Sequence, residues 1–228
     1  MKAILISDHA KWCALMMNGD KTIEVRKGTA LYKATQKLID EYGFAEFYVC
    51  CTKGNYDIVR ESSPYSNVPH YTCVKINKKL SKDLPEYEYS SRGKVAFKFR
   101  CYKVEEIETS HDRFDEEIWY STGSMEEEDI LEHSCLNSDE LDNYLYGEKG
   151  TAIHISDLEI FDKPKELSEF RKVMSEYKHW LLCADCSRYW EDESGTPIEP
   201  RCELNWKDCD KDRLTKAPQS WCYIETGE

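Results

Sequence analysis

The sequence predicts an α+β fold, in which strands and helices follow one another along the chain. Residues 3–6 form an apolar run that is too short for a helix and is typical of a buried strand. Residues 95–100 alternate valine and phenylalanine with alanine, lysine and arginine, which is typical of a half-buried strand. Residues 8–19 instead repeat apolar side chains at helical spacing and end at a glycine. These segments together indicate a mixed fold.

The helices are predicted from apolar spacing and from residues that favour helix ends. In the first helix, Asp8 is the predicted N-cap and Gly19 the stop. In the second, Gly43 is the stop. The fourth is predicted to begin at the run from Asn137 to Leu141. The predicted helices cover, in order, residues 8–19, residues 31–42, a segment that starts at residue 124, residues 137–147, and a segment within residues 166–182.

The strands are predicted from alternation and from β-forming residues. They cover residues 2–7, 22–26, 44–52, 71–76, 93–104 and 152–161. In the third strand, Phe47, Val49 and Cys51 share one face, because successive side chains of a strand point to opposite sides. In the last strand, the apolar pattern changes phase near Ser156, which predicts a β-bulge there.

Composition places the chain among globular proteins. Its 228 residues suffice for one hydrophobic core. No apolar run approaches the roughly 20 residues that span a bilayer. The first residues contain too short an apolar stretch for a secretory signal, so we expect a cytoplasmic protein without a membrane partner.

Charge is distributed unevenly along the chain. The formal net charge is −13, yet residues 1–104 hold 18 Lys and Arg against 11 Asp and Glu, a net of +7. Residues 112–142 hold 12 Asp and Glu against one Arg, a net of −11. The basic half suits phosphate binding, whereas the acidic block repels a long duplex. A short single strand or a lone nucleotide therefore fits this pattern better.

The candidate site is the strand of residues 22–26 with the lysine before it. Alternation places Thr22, Glu24 and Arg26 on one face and Lys21 on the other. A carboxylate beside a guanidinium on one face suits a polar planar ligand, although a solvated or internally paired face gives the same pattern. Trp12, in the first helix, either packs in the core or forms the wall of a pocket.

The run G-D-K-T-I-E-V-R, residues 19–26, resembles the signature G-x-K-x-x-E-x-R of the ASCH domain family, a branch of the PUA-like superfamily. Residues 2–7 resemble that family's first strand. Residues 93–104, 149–170 and 217–223 are similar to a long, cysteine-containing subgroup that is common in phage and prophage genomes. The resemblance extends over most of the chain.

This resemblance implies a PUA-like β-barrel of five to seven strands with flanking helices outside it. Residues 1–170 would form the ASCH domain, with an acidic helical insertion at about residues 112–147. Residues 171–228 would add a helix and a cysteine-rich C-terminal tail that packs on the barrel.

The resemblance also implies binding of RNA, of another single-stranded nucleic acid or of a nucleotide, since PUA-like domains are widely RNA-binding. Lys21 and Arg26 would meet phosphate or a base edge, and Glu24 would accept a hydrogen bond from a base amino group. Trp12 or a tyrosine would stack on a base. The expected ligand-binding residues are Trp12, Lys21, Thr22, Glu24 and Arg26.

An enzyme is the first alternative. Some small ASCH proteins are amidohydrolases that act on acylated cytidine, and others look like ribonucleases. The amidohydrolases use a lysine and a threonine of this strand; Lys21 matches the lysine, whereas Glu24 stands in the position of the threonine. A desolvated lysine beside a glutamate can activate water or a hydroxyl group, so Lys21 and Glu24 are the catalytic candidates of a hydrolase.

A regulator is the second alternative. The acidic helices of residues 124–146 would bind a host protein of the phage, because an acidic surface can imitate nucleic acid and block the proteins that bind it. Nothing in the sequence names that partner.

The cysteine-rich tail is a candidate zinc site. Cys183 and Cys186 form a C-x-x-C pair, followed by Cys202 and Cys209, so that the spacing is C-x2-C-x15-C-x6-C. The first pair and the long gap suit tetrahedral thiolate ligands, while the second pair is wider than usual. Cys222 or His179 is a substitute for one ligand. Free thiols or a disulfide are the alternatives to structural zinc.

Overall fold

A computed structural model of the chain describes residues 1–63, 66–76, 90–111, 117–123, 125–173 and 213–226. These residues form a mixed α+β fold that is rich in strands. The helices are α1 (Ala10–Asn18), α2 (Ala30–Tyr42), α3 (Glu127–Ser134) and α4 (Ser138–Leu145). The strands are β1 (Lys2–Asp8), β2 (Ile23–Lys27), β3 (Ala45–Cys51), β4 (Tyr56–Ser63), β5 (Ser66–Lys75), β6 (Val95–Cys101), β7 (Val104–His111), β8 (Glu117–Ser121), β9 (Gly150–His154), β10 (Ser156–Lys165), β11 (Arg171–Lys172) and β12 (Trp221–Glu225).

The larger sheet has six strands in the order β10-β6-β3-β1-β12-β11. Strands β1 and β3 run parallel, and the other neighbours are antiparallel. Alternation divides the side chains of β3 as predicted: Phe47, Val49 and Cys51 face one core, while Tyr48 and Cys50 face the other. This sheet is therefore buried on both faces.

The smaller sheet has four strands in the order β2-β9-β7-β8. The chain passes between these two sheets four times, from β1 to β2, from β2 to β3, from β6 to β7 and from β9 to β10. At the last crossing Ile155 is outside both strands, and Asp157 has a φ of 47°, close to the predicted bulge. The main core combines residues of both sheets, such as Phe97 and Ile153, with residues of α1 and α2.

The sheets are open within the described residues. The six-stranded sheet ends at β10 and β11, and the four-stranded sheet ends at β2 and β8. A single closed barrel, as expected from the resemblance, is therefore not formed by the described strands. The mixed α+β class is confirmed.

Helices α1 and α2 end where the sequence predicts. Gly19 and Gly43 have φ values of 81° and 82°, a left-handed conformation that glycine adopts without steric cost. The start of α1 differs from the prediction, because His9 rather than Asp8 is the N-cap. The Asp8 side chain instead accepts a hydrogen bond from the N–H of His9, at 2.8 Å.

Three segments differ from their predictions. The strand predicted at residues 71–76 belongs to a longer hairpin, in which β4 pairs with β5. Where a helix was predicted within residues 166–182, the described part is a 3-10 turn followed by β11, and residues 174–182 lie outside the described ranges. Residues 221–225, assigned to a tail, form β12 and pair with β1 in the larger sheet.

The described helices are all short. None of them is long and apolar enough to cross a bilayer.

Candidate functional site

A pocket of about 800 Å³ opens where β1 ends and α1 begins. Strand β2 and helix α4 form its other walls, and Gln219 lies at its edge. Five side chains that matter for its chemistry line it: Asp8, Trp12, Lys21, Glu24 and Arg26. Its volume is within the range of small-molecule sites.

Strand β2 divides its side chains between the pocket and a core. Glu24 and Arg26 line the pocket with their charged side chains, whereas Ile23 and Val25 belong to a hydrophobic cluster with α3 and α4, and Val25 also borders the pocket. The neighbouring strand β9 pairs with β2 in register and fixes this division. The apolar half of the strand therefore holds the charged half in place.

Glu24 lies between two cations. Its Oε2 is 3.3 Å from Lys21 Nζ, and its Oε1 is 2.7 Å from Arg26 Nε. The Glu24 side chain is only 5 % exposed, so these pairs are shielded from water. Burial acts to raise the pKa of Glu24, but the charges of Arg26 and Lys21 outweigh it and hold the pKa below its usual value. Glu24 is therefore a fixed anion.

Lys21 joins this cluster, contrary to the alternation argument. Strand β2 begins at Ile23, so Lys21 precedes the pleated segment and alternation does not apply to it. Its Nζ donates a hydrogen bond to the carbonyl oxygen of Ser134, at 2.7 Å, at the end of α3. Thr22, which was expected to bind the ligand, does not line the pocket. Its Oγ1 instead lies 3.1 Å from Nδ1 of His133.

Arg26 has unused hydrogen-bonding capacity. It is 8 % exposed. Among the described residues, neither its Nε nor its Nη2 has a hydrogen-bond acceptor in suitable geometry, although carboxylates lie close by. Burial lowers the pKa of Arg26, and the charges of Glu24 and Asp8 raise it above its usual value. The guanidinium is thus a charged group with N–H donors available to a ligand.

Asp8 is a site residue that the sequence did not reveal. Its Oδ2 lies 3.4 Å from Arg26 Nη2, and this oxygen accepts no hydrogen bond from any described residue. Burial, and next the charge of Glu24, raise the pKa of Asp8 to about 8, although Arg26 and Lys21 oppose the shift. Its position one residue before a helix had suggested capping, and only the fold brings it to Arg26.

Trp12 has both of the roles predicted for it, because it packs against the main core and forms the aromatic wall of the pocket. The Nζ atoms of Lys11 and Lys21 lie 4.0 Å and 5.2 Å from the centre of its ring. These distances are within cation–π range, and they hold the indole beside the charged cluster.

Helix α4 belongs to the acidic insertion and contains none of the predicted ligand-binding residues, but it lines the pocket. Asn137, the N-cap of α4, accepts a hydrogen bond from the N–H of Glu140 at 2.8 Å, and both residues line the pocket. Tyr144, one helical turn further on, also lines it, and burial raises the pKa of its hydroxyl. The acidic insertion is therefore a wall of the site as well as a solvated surface.

The predicted zinc ligands Cys183, Cys186, Cys202 and Cys209, and the substitute His179, lie outside the described residues. Cys222 is described and is buried in β12, opposite Leu5 of β1. No group of three or more potential metal ligands occurs within the described ranges. Structural zinc stays a prediction.

Comparisons of the chain with protein-family models, with curated proteins and with solved structures found no match.

Proposed function

We propose that this protein is an ASCH-type, PUA-like binding module of a phage or prophage, and that its pocket takes one nucleotide unit. That unit is either a free nucleotide or a single residue of a single-stranded RNA. Both sources present the same chemistry, a planar base with hydrogen-bonding edges and a phosphate group. The resemblance around residues 19–26 supports the family, and the pocket supports the ligand class.

The observation that carries the proposal is the buried Glu24 carboxylate, held between two cations on the floor of a pocket with an aromatic wall. Arg26 offers N–H donors to a phosphate or base oxygen. Trp12 offers a face for stacking, which contributes about 1–3 kcal/mol per base in single-strand binding. Such a combination of stacking surface and fixed charges suits a nucleotide.

The charges around the pocket favour a small ligand over a long polymer. Asp139 and Glu140 lie on its α4 wall, and the exposed carboxylates of α3 and α4 continue beyond it. A long backbone crossing this surface would be repelled, whereas one phosphate inside the pocket would meet Arg26 and Lys21.

The test is fluorescence anisotropy of a labelled RNA pentamer, with unlabelled mononucleotides as competitors, at two salt concentrations. We expect salt-sensitive binding, and competition by mononucleotides that carry a phosphate. Arg26→Lys, which keeps the charge but loses the planar fork, should weaken binding at least about tenfold. Circular dichroism and thermal melting check that this variant is folded.

Lys27→Ala is the matched control. It removes a positive charge from the same strand, but Lys27 is exposed and pairs with Glu148 at the surface. We expect Lys27→Ala to bind within about twofold of the parent, since screening weakens exposed charges. Equal loss of binding in both variants, or no binding by the parent, would refute the proposal.

Hydrolysis is the second candidate, and the contrast between Asp8 and Glu24 favours it. Two carboxyl groups lie in one pocket, one with its pKa raised to about 8 and the other with its pKa lowered. Environments that separate the pKa values of two acids are typical of acid–base pairs. In this function Asp8 would supply a proton, and Glu24 would hold Lys21 against the substrate.

Mass spectrometry of the nucleic acid after incubation separates the two functions. Unchanged RNA, together with unchanged N-acylated cytidine, is expected for a binding module. A shortened RNA or a deacylated nucleoside, lost in Asp8→Asn but not in Lys27→Ala, would establish the enzyme instead.

A further inference from the structure

Asp8 is a buried acid with one oxygen uncommitted. Its Oδ1 accepts the N–H of His9, while Oδ2 faces Arg26 Nη2 at 3.4 Å and accepts no hydrogen bond from any described residue. When Asp8 is protonated, the Glu24 carboxylate is a neighbouring acceptor, and this hydrogen bond helps to lower the pKa of Glu24. Asp8 is 8 % exposed, and it lines the pocket. A buried polar atom without a partner costs stability unless a ligand or water satisfies it. Asp8 Oδ2 and Arg26 Nη2 therefore form an adjacent pair available to a ligand.

The groups around Asp8 come from four elements. Lys21, Glu24 and Arg26 lie on or just before β2, and Cys13 and the N-cap residue His9 belong to α1. Cys51 of β3 is the register partner of Asp8, and Tyr144 belongs to α4. On the rim, Lys11 Nζ lies 3.5 Å from Glu140 and neutralises part of the charge of α4. The strongest charges that face Asp8 are thus the two cations and the single anion of the β2 cluster.

The net charge of Asp8, Lys21, Glu24 and Arg26 together depends on whether Asp8 carries a proton. With Asp8 neutral, Lys21 and Arg26 exceed Glu24 by one positive charge. With Asp8 ionised, the cluster has no net charge, and an anion occupies the space beside the guanidinium. The low dielectric of a buried site makes this difference large for a charged ligand.

We infer that Asp8 and Arg26 form a proton-linked phosphate site: the pocket binds a phosphate group when Asp8 carries a proton, and releases it when Asp8 is ionised. In the protonated state the O–H of Asp8 and the N–H of Arg26 both donate to the phosphate oxygens. In the ionised state the Asp8 carboxylate repels the phosphate and competes for Arg26. This inference rests on the proposed function and specifies which part of the nucleotide sets its affinity.

The expected size of the effect follows from the proton occupancy of Asp8. With a pKa of about 8, Asp8 is about nine-tenths protonated at pH 7 and about one-tenth at pH 9. If only the protonated form binds, the apparent Kd is inversely proportional to the protonated fraction of Asp8. We therefore expect affinity for a phosphate ligand to fall roughly tenfold between pH 7 and pH 9.

Isothermal titration calorimetry with AMP tests this inference. The AMP phosphate stays a dianion over this range, because its second pKa is about 6. The parent protein should bind AMP about tenfold more weakly at pH 9 than at pH 7. At pH 8, in buffers of different ionisation enthalpy, binding should take up about half a proton. Adenosine, which lacks the phosphate, should show neither effect.

Two variants complete the test. In Asp8→Asn the Kd for AMP should be the same at pH 7 and pH 9, and proton uptake should vanish. Asp139→Asn removes a carboxylate from the pocket wall without touching Arg26, and it should keep the tenfold change.

The outcomes separate this inference from the proposed function. AMP binding that is independent of pH in the parent, or equally dependent on pH in Asp8→Asn, would overturn the proton-linked site and leave nucleotide binding intact. Absence of AMP and RNA binding at every pH would overturn both.

Discussion

Asp8 and Asp57 are both buried aspartates close to the end of a strand, yet their surroundings differ. Asp57 is 7 % exposed, and its carboxylate accepts four hydrogen bonds, from Ile58 N, Ser90 Oγ, Ser91 N and Ser91 Oγ, at 2.7–3.1 Å. Asp8 is 8 % exposed and accepts one, from His9 N, besides its ion pair with Arg26. Burial alone therefore does not distinguish a structural carboxylate from a functional one.

The two aspartates differ in whether both carboxylate oxygens accept hydrogen bonds. Asp57 connects Ser90 and Ser91, which lie just before β6, to the start of β4, and both of its oxygens accept hydrogen bonds. Asp8 Oδ2 is directed at Arg26 beside a pocket. We conclude that incomplete hydrogen bonding next to a cavity is the better indicator of a binding residue.

Asp57→Ala gives the largest expected effect and tests the structural half of this comparison. It leaves two backbone N–H groups and two hydroxyl groups of a buried turn without their acceptor. We expect the free energy of unfolding to fall by about 3–5 kcal/mol, measured by urea denaturation. Asp57→Asn, which keeps one oxygen in place, should lose less. A loss below about 1 kcal/mol in Asp57→Ala would contradict the structural assignment.

Asp8→Asn tests the other half through the pH dependence of stability. The pKa of Asp8 is about 8 in the folded protein, against 3.8 in the absence of burial. Between these values unfolding releases a proton, so the parent becomes less stable as pH rises from about 4 to about 8. Asp8→Asn has no carboxyl group at this position, so its unfolding does not release this proton. Its stability relative to the parent should therefore increase by about 1 kcal/mol for each pH unit.

Urea denaturation of both proteins at pH 5, 6, 7 and 8 measures this difference. Over that range the lowered pKa of Glu24 does not contribute, because its effect is lost only as pH falls below the ordinary value of 4.5. A constant difference between the parent and Asp8→Asn would show that Asp8 is paired as Asp57 is.

Asn137→Ala should have the smallest effect, and it probes the α4 wall of the pocket that Asp8 also lines. Asn137 caps α4, and loss of such a cap costs about 1 kcal/mol. Hydrogen exchange should accelerate at the amides of residues 138–145, while those of Ser91 and Ile58 remain protected. Asn137→Asp keeps a capping oxygen and should restore the parent rates. Faster exchange throughout the protein would show that α4 is not a separate wall.

Local signals in the sequence were sufficient for much of the fold. The left-handed ends of α1 and α2 were predicted because glycine alone adopts that conformation freely, and the faces of β3 were predicted because alternation is strict within a strand. The start of α4 was predicted from the run of residues 137–141, and in the structure Asn137 and Glu140 form a capping box there.

The remaining features depend on contacts between distant residues. Lys21 was placed on the wrong face because β2 begins at Ile23, so that strand alternation does not extend to Lys21. Strand β12 was not predicted, since its partner β1 lies at the other end of the chain. Asp8 resembled a helix cap locally, and its contact with Arg26 and its proximity to Tyr144 exist only in the folded protein. Trp12, Lys21, Glu24 and Arg26 of the pocket were therefore identified from sequence, whereas Asp8 was not.

The most direct test of the account is a ¹H–¹⁵N NMR titration of the protein with AMP at pH 7. We expect saturable shifts of the Arg26 Nε–H and Trp12 indole N–H resonances. These resonances are identified by their absence from the spectra of Arg26→Lys and Trp12→Phe. The amides of Ile58 and Ser91, which are bonded to Asp57, should not move. Shifts confined to the surroundings of Asp57, or no shift at the Arg26 and Trp12 side chains, would contradict the assignment of this pocket as the nucleotide site.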